Sequence, residues 1–332
     1  MDWYIVIFII AAAAAVLMLA GGTSMFFNFA ILSDNFKKEK RTNAWDEDEN
    51  DPDEVYIYSK CLPYKDELLE GRKWVKSQPL ADFSVTSYDG LTLRAKYVPA
   101  NGKEKGIVLM MHGFRSSALH DFSLAIKIFH EMGYGCMLPY HRAHGDSEGK
   151  YITYGTKERF DVLSWCRLIE EKFPGVPVIL DGISMGGATV LMASGLELPG
   201  NVKGIIADCA FTSPYEVFKH VMRRNFKMGP FPFLHTTRLY AKIRAGLVMK
   251  SVSTPDALKK NRLPLLIVHG EADDLVPYSM SERNFEVAKE NCDATFLSVP
   301  GAAHGISFLV DRERYTAEVK KLLDKCINKE EA

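Results

Sequence analysis

Six short apolar runs, separated by segments with helical periodicity, constrain the fold of this chain more than any other feature. The runs cover residues 106–111, 134–138, 176–180, 202–207, 264–268 and 295–299. The helical patterns cover residues 123–132, 156–173, 185–194, 279–291 and 312–327. Continuous apolarity is typical of strands buried on both faces, and strands that alternate with helices form a parallel sheet. The sequence therefore predicts a doubly wound, mostly parallel α/β fold.

The alternation is interrupted at two places. Residues 83–88 and 91–97 alternate in polarity around Asp89-Gly90, which predicts a hairpin of antiparallel leading strands. About fifty residues between Ala210 and Pro264 contain no obvious core strand, and such a length is unusual for a structureless loop. We therefore predict a helical cap at about 212–252, inserted over the sheet.

The N-terminal segment has the composition of a membrane span. No charged residue occurs from Trp3 to Gly22, and this length is sufficient for one bilayer-spanning helix. Asp2 is the only charge that precedes the run, whereas a cleaved signal peptide carries a basic region there. We predict a single-pass transmembrane anchor at residues 1–24.

A juxtamembrane and acidic linker segment at 25–78 is predicted to join the anchor to the α/β domain at 79–328. It contains the acidic run 46–54, which we interpret as a spacer because a calcium loop needs regularly spaced ligands and a glycine turn. Lys37, Lys38, Lys40 and Arg41 follow the span, so the positive-inside rule favours a domain that faces the cytoplasm.

Composition excludes little beyond nucleic-acid binding. The 332 residues carry a formal net charge of −1, which gives no electrostatic reason to expect a nucleic-acid partner. The six cysteines are scattered without a C-x-x-C pair or metal-ligand spacing, so they are interpreted as reduced structural thiols.

Gly182-Ile183-Ser184-Met185-Gly186 has the pattern of a nucleophile elbow. In such a turn, a serine between a buried strand and a helix projects its hydroxyl above the sheet, and glycine neighbours provide the space. The apolar run 176–180 precedes it, and the small residues of 187–194 follow as a helix. The chemistry indicated is acyl transfer through Ser184.

An acid and a histidine follow the later strands, in the order that such a serine requires. The run ending at Val268 is followed by two competing aspartates, Asp273 and Asp274, and Asp208 after an earlier strand is a further alternative. His304 follows the last strand in a loop of small residues. It is the candidate general base.

Two backbone N–H groups are candidates for an oxyanion hole. The run ending at Met111 leads into His112-Gly113-Phe114, and the helix after the elbow begins near Met185. The N–H groups of Phe114 and Met185 would then face the carbonyl oxygen that becomes negative in the reaction. His112 is interpreted as a residue that orders this loop.

These motifs together resemble the α/β-hydrolase superfamily, in particular bacterial membrane-anchored hydrolases similar to serine aminopeptidases and monoacylglycerol lipases. The resemblance covers about 83–326 and includes His112-Gly113, residues 141–149 and the D-x-x-V-P pattern from Asp273 to Pro277. It implies an α/β-hydrolase fold, a triad of Ser184, Asp273 and His304, and no metal or cofactor. Relatives have Gly-His-Gly where this chain has Ala143-His144-Gly145, so that loop does not identify a substrate.

The expected function is that of a serine hydrolase acting on an acyl ester, as a carboxylesterase or lipase does. A serine aminopeptidase or amidase would use the same triad, and Glu216 is the one obvious acid in the cap for the free amino group of its substrate. An acyltransferase would also use this chemistry. A binding module without catalysis is a further alternative. The cap carries eight basic residues and one acid between 211 and 250. It is therefore a candidate contact with anionic lipid, so the expected partners are an ester substrate and the membrane.

Overall fold

A central eight-stranded sheet organises the part of the chain that the computed structural model describes, which is residues 2–33, 45 and 58–327. The basic cluster at 37–41 and the acidic run at 46–54 lie outside these residues, and so do the predictions that rest on them. The strands are β1 (Ala81–Thr86), β2 (Thr92–Val98), β3 (Gly106–Met111), β4 (Tyr134–Pro139), β5 (Val178–Ile183), β6 (Val202–Asp208), β7 (Leu265–Gly270) and β8 (Ala294–Val299).

The strand order confirms the predicted fold class. The sheet runs β1-β2-β4-β3-β5-β6-β7-β8, with β1 and β2 antiparallel and every pair from β4 onwards parallel. All six residues of β3 are buried. Ile107 and Leu109 pack on one face of the sheet and Val108 and Met110 on the other, as expected for a strand covered by helices on both sides.

Helices cover both faces of the sheet and form the cap. They are α1 (Trp3–Ala30), α2 (Lys65–Lys76), α3 (Ala118–Glu131), α4 (Glu158–Lys172), α5 (Met185–Ala193), α6 (Pro214–Phe226), α7 (Phe233–Ala245), α8 (Thr254–Leu258), α9 (Tyr278–Ala288), α10 (Ser307–Val310) and α11 (Arg312–Ile327). Helix α3 begins earlier than the predicted residue 123, because the Ser117 hydroxyl caps it by accepting the His120 N–H.

Helices α6 and α7 form the predicted cap between β6 and β7. The Ser213 side chain accepts the Glu216 N–H at the start of α6, and Pro214 occupies the first helical position. Lys227 and Gly246 end the two helices in left-handed conformations, which are typical of helix C-termini. The cap therefore consists of two ordinary, individually terminated helices.

Helix α1 is continuous over 28 residues, and its two ends have different surroundings. Its most apolar 18-residue window has a mean hydropathy of 2.7 and contains no buried residue, so the helix is long and apolar enough to cross a membrane. Near its C-terminus, Phe26 lies 5.8 Å from Phe233 and Phe27 lies 4.8 Å from Tyr240, measured between ring centroids. The helix thus extends past the predicted end of the anchor at residue 24, because its aromatic C-terminal turns pack on α7.

The residues after α1 join the body of the domain. Leu32 forms an antiparallel bridge with Tyr151, the Ile152 N–H donates to the Ile31 carbonyl, and the Ser33 N–H donates to the Lys150 carbonyl. Residues 26–33 are therefore part of the folded domain, whereas the sequence prediction placed all of them in the linker.

Part of the predicted linker is also helical. A 3-10 helix at Ser59–Tyr64 leads into α2, which packs on α3. Leu68, Arg72 and Val75 share the buried face of α2 at helical spacing. The linker prediction of 25–78 is therefore wrong for 59–76, where the amphipathic face of α2 packs on α3.

Two buried carboxyl groups lie on one face of the sheet, Asp181 on β5 and Asp208 on β6. Burial, reinforced by repulsion from Asp208, raises the pKa of Asp181 to about 8. Oδ1 of Asp181 has no hydrogen-bond partner among the described residues. Ionisation of this group is therefore unfavourable in the folded protein.

Packing of α1 on α7 predicts different effects at two adjacent glycines. A Cβ atom at Gly22 would lie 2.2 Å from the Phe233 ring, whereas a Cβ at Gly21 would meet nothing within 4 Å. Gly22→Leu should lower the stability of the detergent-solubilised protein by about 1–3 kcal/mol through overpacking, and Gly21→Leu should leave it unchanged. Equal melting temperatures for the two variants would contradict the docked position of α1.

The raised pKa of Asp181 predicts a stability that depends on pH. Between about pH 4, the usual carboxyl value, and about pH 8, the folded chain keeps a proton that the unfolded chain has released. Stability should therefore fall as pH rises through this window, with a slope on the order of 1.4 kcal/mol per unit. Asp181→Asn should remove this contribution from thermal melts between pH 4 and 9, and the slope that remains should come from other buried carboxyl groups such as Asp208, whose pKa burial raises to about 7. Asp82→Asn, at an exposed carboxylate paired with Lys96, should not.

Candidate active site

Ser184 occupies the sharp turn between β5 and α5. Its backbone has φ 56° and ψ −111°, a combination that is unfavourable for a residue with a side chain. A Cβ at Gly186 would lie 1.8 Å from the Met111 carbonyl oxygen, and one at Gly182 would lie 2.4 Å from the Gly186 backbone. Only glycine fits at either position, so the G-x-S-x-G spacing has a steric cause.

The three residues expected to form a triad lie in one hydrogen-bonded chain. His304 Nε2 lies 2.8 Å from Ser184 Oγ, and His304 Nδ1 lies 2.7 Å from Asp273 Oδ2. Each residue follows the C-terminal end of a different strand: β5, β7 and β8. This is the edge of an α/β sheet at which ligands bind.

Asp273 is buried but surrounded by donors. Its Oδ1 accepts the N–H groups of Leu275 and Val276, each at 2.9 Å. Its Oδ2 lies 2.7 Å from His304 Nδ1 and 3.1 Å from His269 Nε2. Burial alone would raise the pKa of Asp273, but the bonds from His269 and His304 outweigh it and hold this pKa well below its usual range. The carboxylate is therefore ionised at neutral pH.

The two alternative acids do not reach His304. Asp274 forms an exposed ion pair with Arg224 at 2.7 Å. Asp208 accepts a hydrogen bond from Ser307 at 3.2 Å, and burial raises its pKa to about 7. Of the three aspartates considered from the sequence, Asp273 alone is hydrogen-bonded to His304 in the structure.

The two predicted oxyanion donors have no acceptor within the described ranges. The N–H groups of Phe114 and Met185 donate no backbone or side-chain hydrogen bond there, whereas the neighbouring Ser184 N–H donates to the Asp208 carbonyl at 2.8 Å. Met185 begins α5, so its N–H lies at the positive end of a helix dipole. Both N–H groups are available to a negatively charged oxygen.

The loop that carries Phe114 is held from several sides. Asp121 accepts the Gly113 N–H at 2.7 Å and the Ser116 hydroxyl at 2.6 Å. His144 Nε2 accepts the Arg115 N–H at 3.1 Å, and His112 Nε2 accepts the His141 N–H at 3.1 Å. These bonds agree with the interpretation of His112 as a residue that orders the loop.

Burial favours the neutral form of two histidines near this loop, and His112 must be neutral for its Nε2 to accept the His141 N–H. Burial, reinforced by the neighbouring His144, lowers the pKa of His141 to about 3. Burial likewise lowers the pKa of His112 well below its usual value. Arg142 of the same motif bonds Asp161 and Asp89 instead, so the motif 141–149 supports the loop from outside the triad.

A cleft of about 610 Å³ adjoins Ser184 and His304. Much of its lining is apolar and comes from separate parts of the chain, including Phe29 of α1, Leu68 of α2, Leu124 of α3, and Phe308 and Leu309 of α10. Glu216 of the cap is absent from this lining and lies 3.5 Å from Lys219.

Sequence reasoning missed three contributors to the site. His269, which supports Asp273, lies near the end of β7 and has no sequence signal beyond that position. Asp121, which holds the oxyanion loop, lies in the first turn of α3, one turn beyond the motif. The contribution of Phe29 depends on the docking of α1, for which no local sequence signal exists beyond the aromatic cluster 26–29.

One group of potential metal ligands occurs among the described residues, and it overlaps the triad. Cys209, Asp273 and His304 lie within 4.8 Å of one another through their ligand atoms. Asp273 and His304 are already bonded to each other. Burial and the nearby Asp208 and Asp273 raise the pKa of the Cys209 thiol well above its usual value, whereas a metal ligand must be a thiolate. The donor set does not fit a metal site.

Comparisons with known proteins point to one superfamily. A family model described as "Serine aminopeptidase, S33" matches residues 102–230. The uncharacterized protein YqkD of Bacillus subtilis is 27% identical over 243 residues, covering 73% of this chain and 78% of YqkD. Human monoglyceride lipase is 26% identical over 267 residues, covering 70% of this chain and 86% of the lipase.

A solved structure agrees with the sheet topology. The Pyrococcus furiosus esterase Pf2001 superimposes with a TM-score of 0.63 at 20% identity, covering 82% of this chain and 96% of the esterase. The sheet with its helical cap and the sequence relatives confirm the resemblance inferred from the motifs. The chain has the fold of the α/β-hydrolase superfamily and is similar to its monoacylglycerol-lipase-like members.

Proposed function

We propose that the protein is a serine hydrolase that cleaves an acyl ester through an acyl-enzyme on Ser184. The observation that carries the proposal is the hydrogen-bonded chain from Asp273 through His304 to Ser184. The names of the human monoglyceride lipase and the Pyrococcus esterase support an ester as the substrate.

The proposed reaction uses each group at a stated atom. Ser184 Oγ attacks the ester carbonyl carbon while His304 Nε2 takes the hydroxyl proton, and the Asp273 carboxylate stabilises the imidazolium through Nδ1–H. The N–H groups of Phe114 and Met185 stabilise the oxyanion. His304 then returns the proton to the leaving alcohol. Water, deprotonated by His304, attacks the acyl-enzyme and releases the acid and the serine hydroxyl.

The cleft favours an apolar acyl or aryl group. Leu124, Phe308 and Leu309 contribute to its lining, and pockets of this size and character hold small organic ligands. An aminopeptidase would need an acid for the free amino group of its substrate. Glu216 lies outside the cleft lining and beside Lys219, and the two acids that line the cleft, Asp121 and Asp208, already accept hydrogen bonds from the protein. The geometry therefore favours the ester over the aminoacyl amide.

We also propose that α1 anchors the protein in a membrane and that the cap rests on lipid headgroups, with the domain in the cytoplasm. Leu239 and Ile243 of α7 are exposed together with Lys242 and Arg244. Exposed apolar and basic side chains on one helix beside an apolar span suit an anionic interface. A signal sequence would have the same apolar composition, so the membrane test below distinguishes the two.

Matched aspartate variants test the triad. With a p-nitrophenyl acyl ester, Ser184→Ala should lower kcat by about 10⁴-fold or more, and Asp273→Asn by a similar order, because the histidine loses its orienting carboxylate. Asp274→Asn removes only the exposed pair with Arg224 and should retain activity. The mechanism fails if Ser184→Ala hydrolyses the ester as fast as the wild type.

The same assay with a panel of substrates decides the reaction class. Esters should exceed aminoacyl amides in kcat/KM, and water should resolve the acyl-enzyme faster than an added alcohol does. Preference for the amide would favour the aminopeptidase. Dominant transfer to the alcohol would favour the acyltransferase, and absence of fluorophosphonate labelling in the folded protein would favour a binding module.

The membrane proposal predicts the outcome of two measurements on the full chain. The protein should stay in the membrane pellet at alkaline pH, with protease reaching its domain in inside-out vesicles and not in intact cells. Reversal of charge at Lys242 and Arg244 should slow hydrolysis of a vesicle-borne ester and spare a soluble one. The same reversal at Lys320 and Lys321 of α11, which are also exposed, is the control. Release of a shortened chain into solution would contradict the anchor.

A further inference from the structure

The last turn of α1 accepts hydrogen bonds from two side chains that flank the oxyanion loop. The Arg115 guanidinium donates to the carbonyl oxygens of Phe29 at 2.7 Å and Leu32 at 2.8 Å. The Tyr154 hydroxyl donates to the carbonyl oxygen of Ala30 at 2.8 Å. The last carbonyl oxygens of a helix receive no hydrogen bond from N–H groups of the same helix, and they lie at the negative end of its dipole. A guanidinium at this end is therefore favourably placed.

Both side chains also contact the ring of Phe114. Tyr154 stacks on this ring with centroids 5.3 Å apart and an interplanar angle of 23°. The guanidinium carbon of Arg115 lies 5.1 Å from the same centroid. The ring of Phe114 thus contacts two groups that are each hydrogen-bonded to the end of α1, and the backbone N–H of this residue is a proposed oxyanion donor.

The backbone around Phe114 requires such support. Arg115 has φ 52° and Tyr154 has φ 53°, and residues with side chains keep left-handed conformations only where their surroundings fix them. The Arg115 N–H is held by His144, so backbone and side chain of this residue have separate attachments. The side chain is attached through its bonds to the carbonyls of Phe29 and Leu32.

We infer that the C-terminal turn of the apolar helix positions the oxyanion loop, with Arg115 and Tyr154 as positioning residues that fix the direction of the Phe114 N–H. The inference rests on the proposed serine mechanism. It assigns α1 a role in catalysis in addition to membrane attachment. Activity then depends on a docked α1. If the helix undocks, Arg115 and Tyr154 lose the carbonyl oxygens of residues 29, 30 and 32 as hydrogen-bond acceptors.

Kinetics of the full-length protein in detergent test the inference with a short soluble ester. Rates are expressed per active serine, titrated with a fluorophosphonate, so that misfolded protein does not enter kcat. Arg115→Ala should lower kcat about 10- to 100-fold with KM within about threefold, since full loss of one oxyanion donor costs about 10²–10³-fold. Arg115→Lys, which keeps one charged donor, should recover a large part of kcat. Tyr154→Phe should lower kcat by a smaller factor.

Matched variants separate positioning from general destabilisation. Arg262 also donates to backbone carbonyls, those of Lys259 and Asn261, in an exposed loop, and Arg262→Ala should leave kcat unchanged. Gly22→Leu, which displaces α1 from α7, should lower kcat in the same direction as Arg115→Ala, and Gly21→Leu should not.

Three results would overturn the inference while leaving the serine mechanism intact. They are an unchanged kcat per active serine in Arg115→Ala, a rise in KM alone, and a loss that Arg115→Lys does not relieve. If Arg115→Ala does not fold, Tyr154→Phe and Gly22→Leu decide the question with the same measurement. An inactive wild type, or an active Ser184→Ala, would instead refute the proposed function itself.

Discussion

The close approach of three backbone segments at the elbow is the constraint on which the rest of the site depends. Helix α5 starts so near β3 that a Cβ at Gly186 would overlap the Met111 carbonyl. The same approach sets Ser184 in its strained conformation and leaves the Met185 N–H without an acceptor among the described residues. Such strain persists only when surrounding packing fixes it, and all nine residues of α5 are buried. The small side chains of this helix therefore serve the geometry of the serine.

Burial alone does not decide which aspartate is the acid of the triad. Asp181, Asp208 and Asp273 all lie in the interior, and burial raises the pKa of Asp181 to about 8 and that of Asp208 to about 7. Asp273 differs in its donors, because two backbone N–H groups and two histidines direct hydrogen atoms at its carboxylate. Donors to the charged form lower a carboxyl pKa and desolvation raises it. The loop after β7 supplies these donors, and the sites of Asp181 and Asp208 do not.

The sequence predicted the sheet, the cap and the members of the candidate triad, because each depends on local pattern. Apolar runs such as 106–111 identify buried strands, and the glycines around Ser184 are required by contacts within a few residues of the turn or with the adjacent strand. The prediction was wrong for 59–76 and too short for α1. Both segments owe their structure to long-range packing, of α2 on α3 and of Phe26 and Phe27 on α7. The support of Asp273 by His269 likewise could not be predicted from the sequence, since it depends on the conformation of the loop after β7.

The continuity of α1 has a geometric consequence for the proposed membrane enzyme. Residues 3–22 form a helical length of about 30 Å, which matches the hydrocarbon thickness of a bilayer, and the same unbroken helix continues to Ala30. With this span in a membrane, Phe29 lies only about 10 Å further along the helix axis, and Phe29 lines the cleft that adjoins Ser184. The bonds of residues 29–33 to the domain leave no flexible spacer between span and cleft. With α1 inserted as proposed, the candidate site is held at a fixed, short distance from the lipid, where an amphiphilic ester would reach it without crossing bulk water.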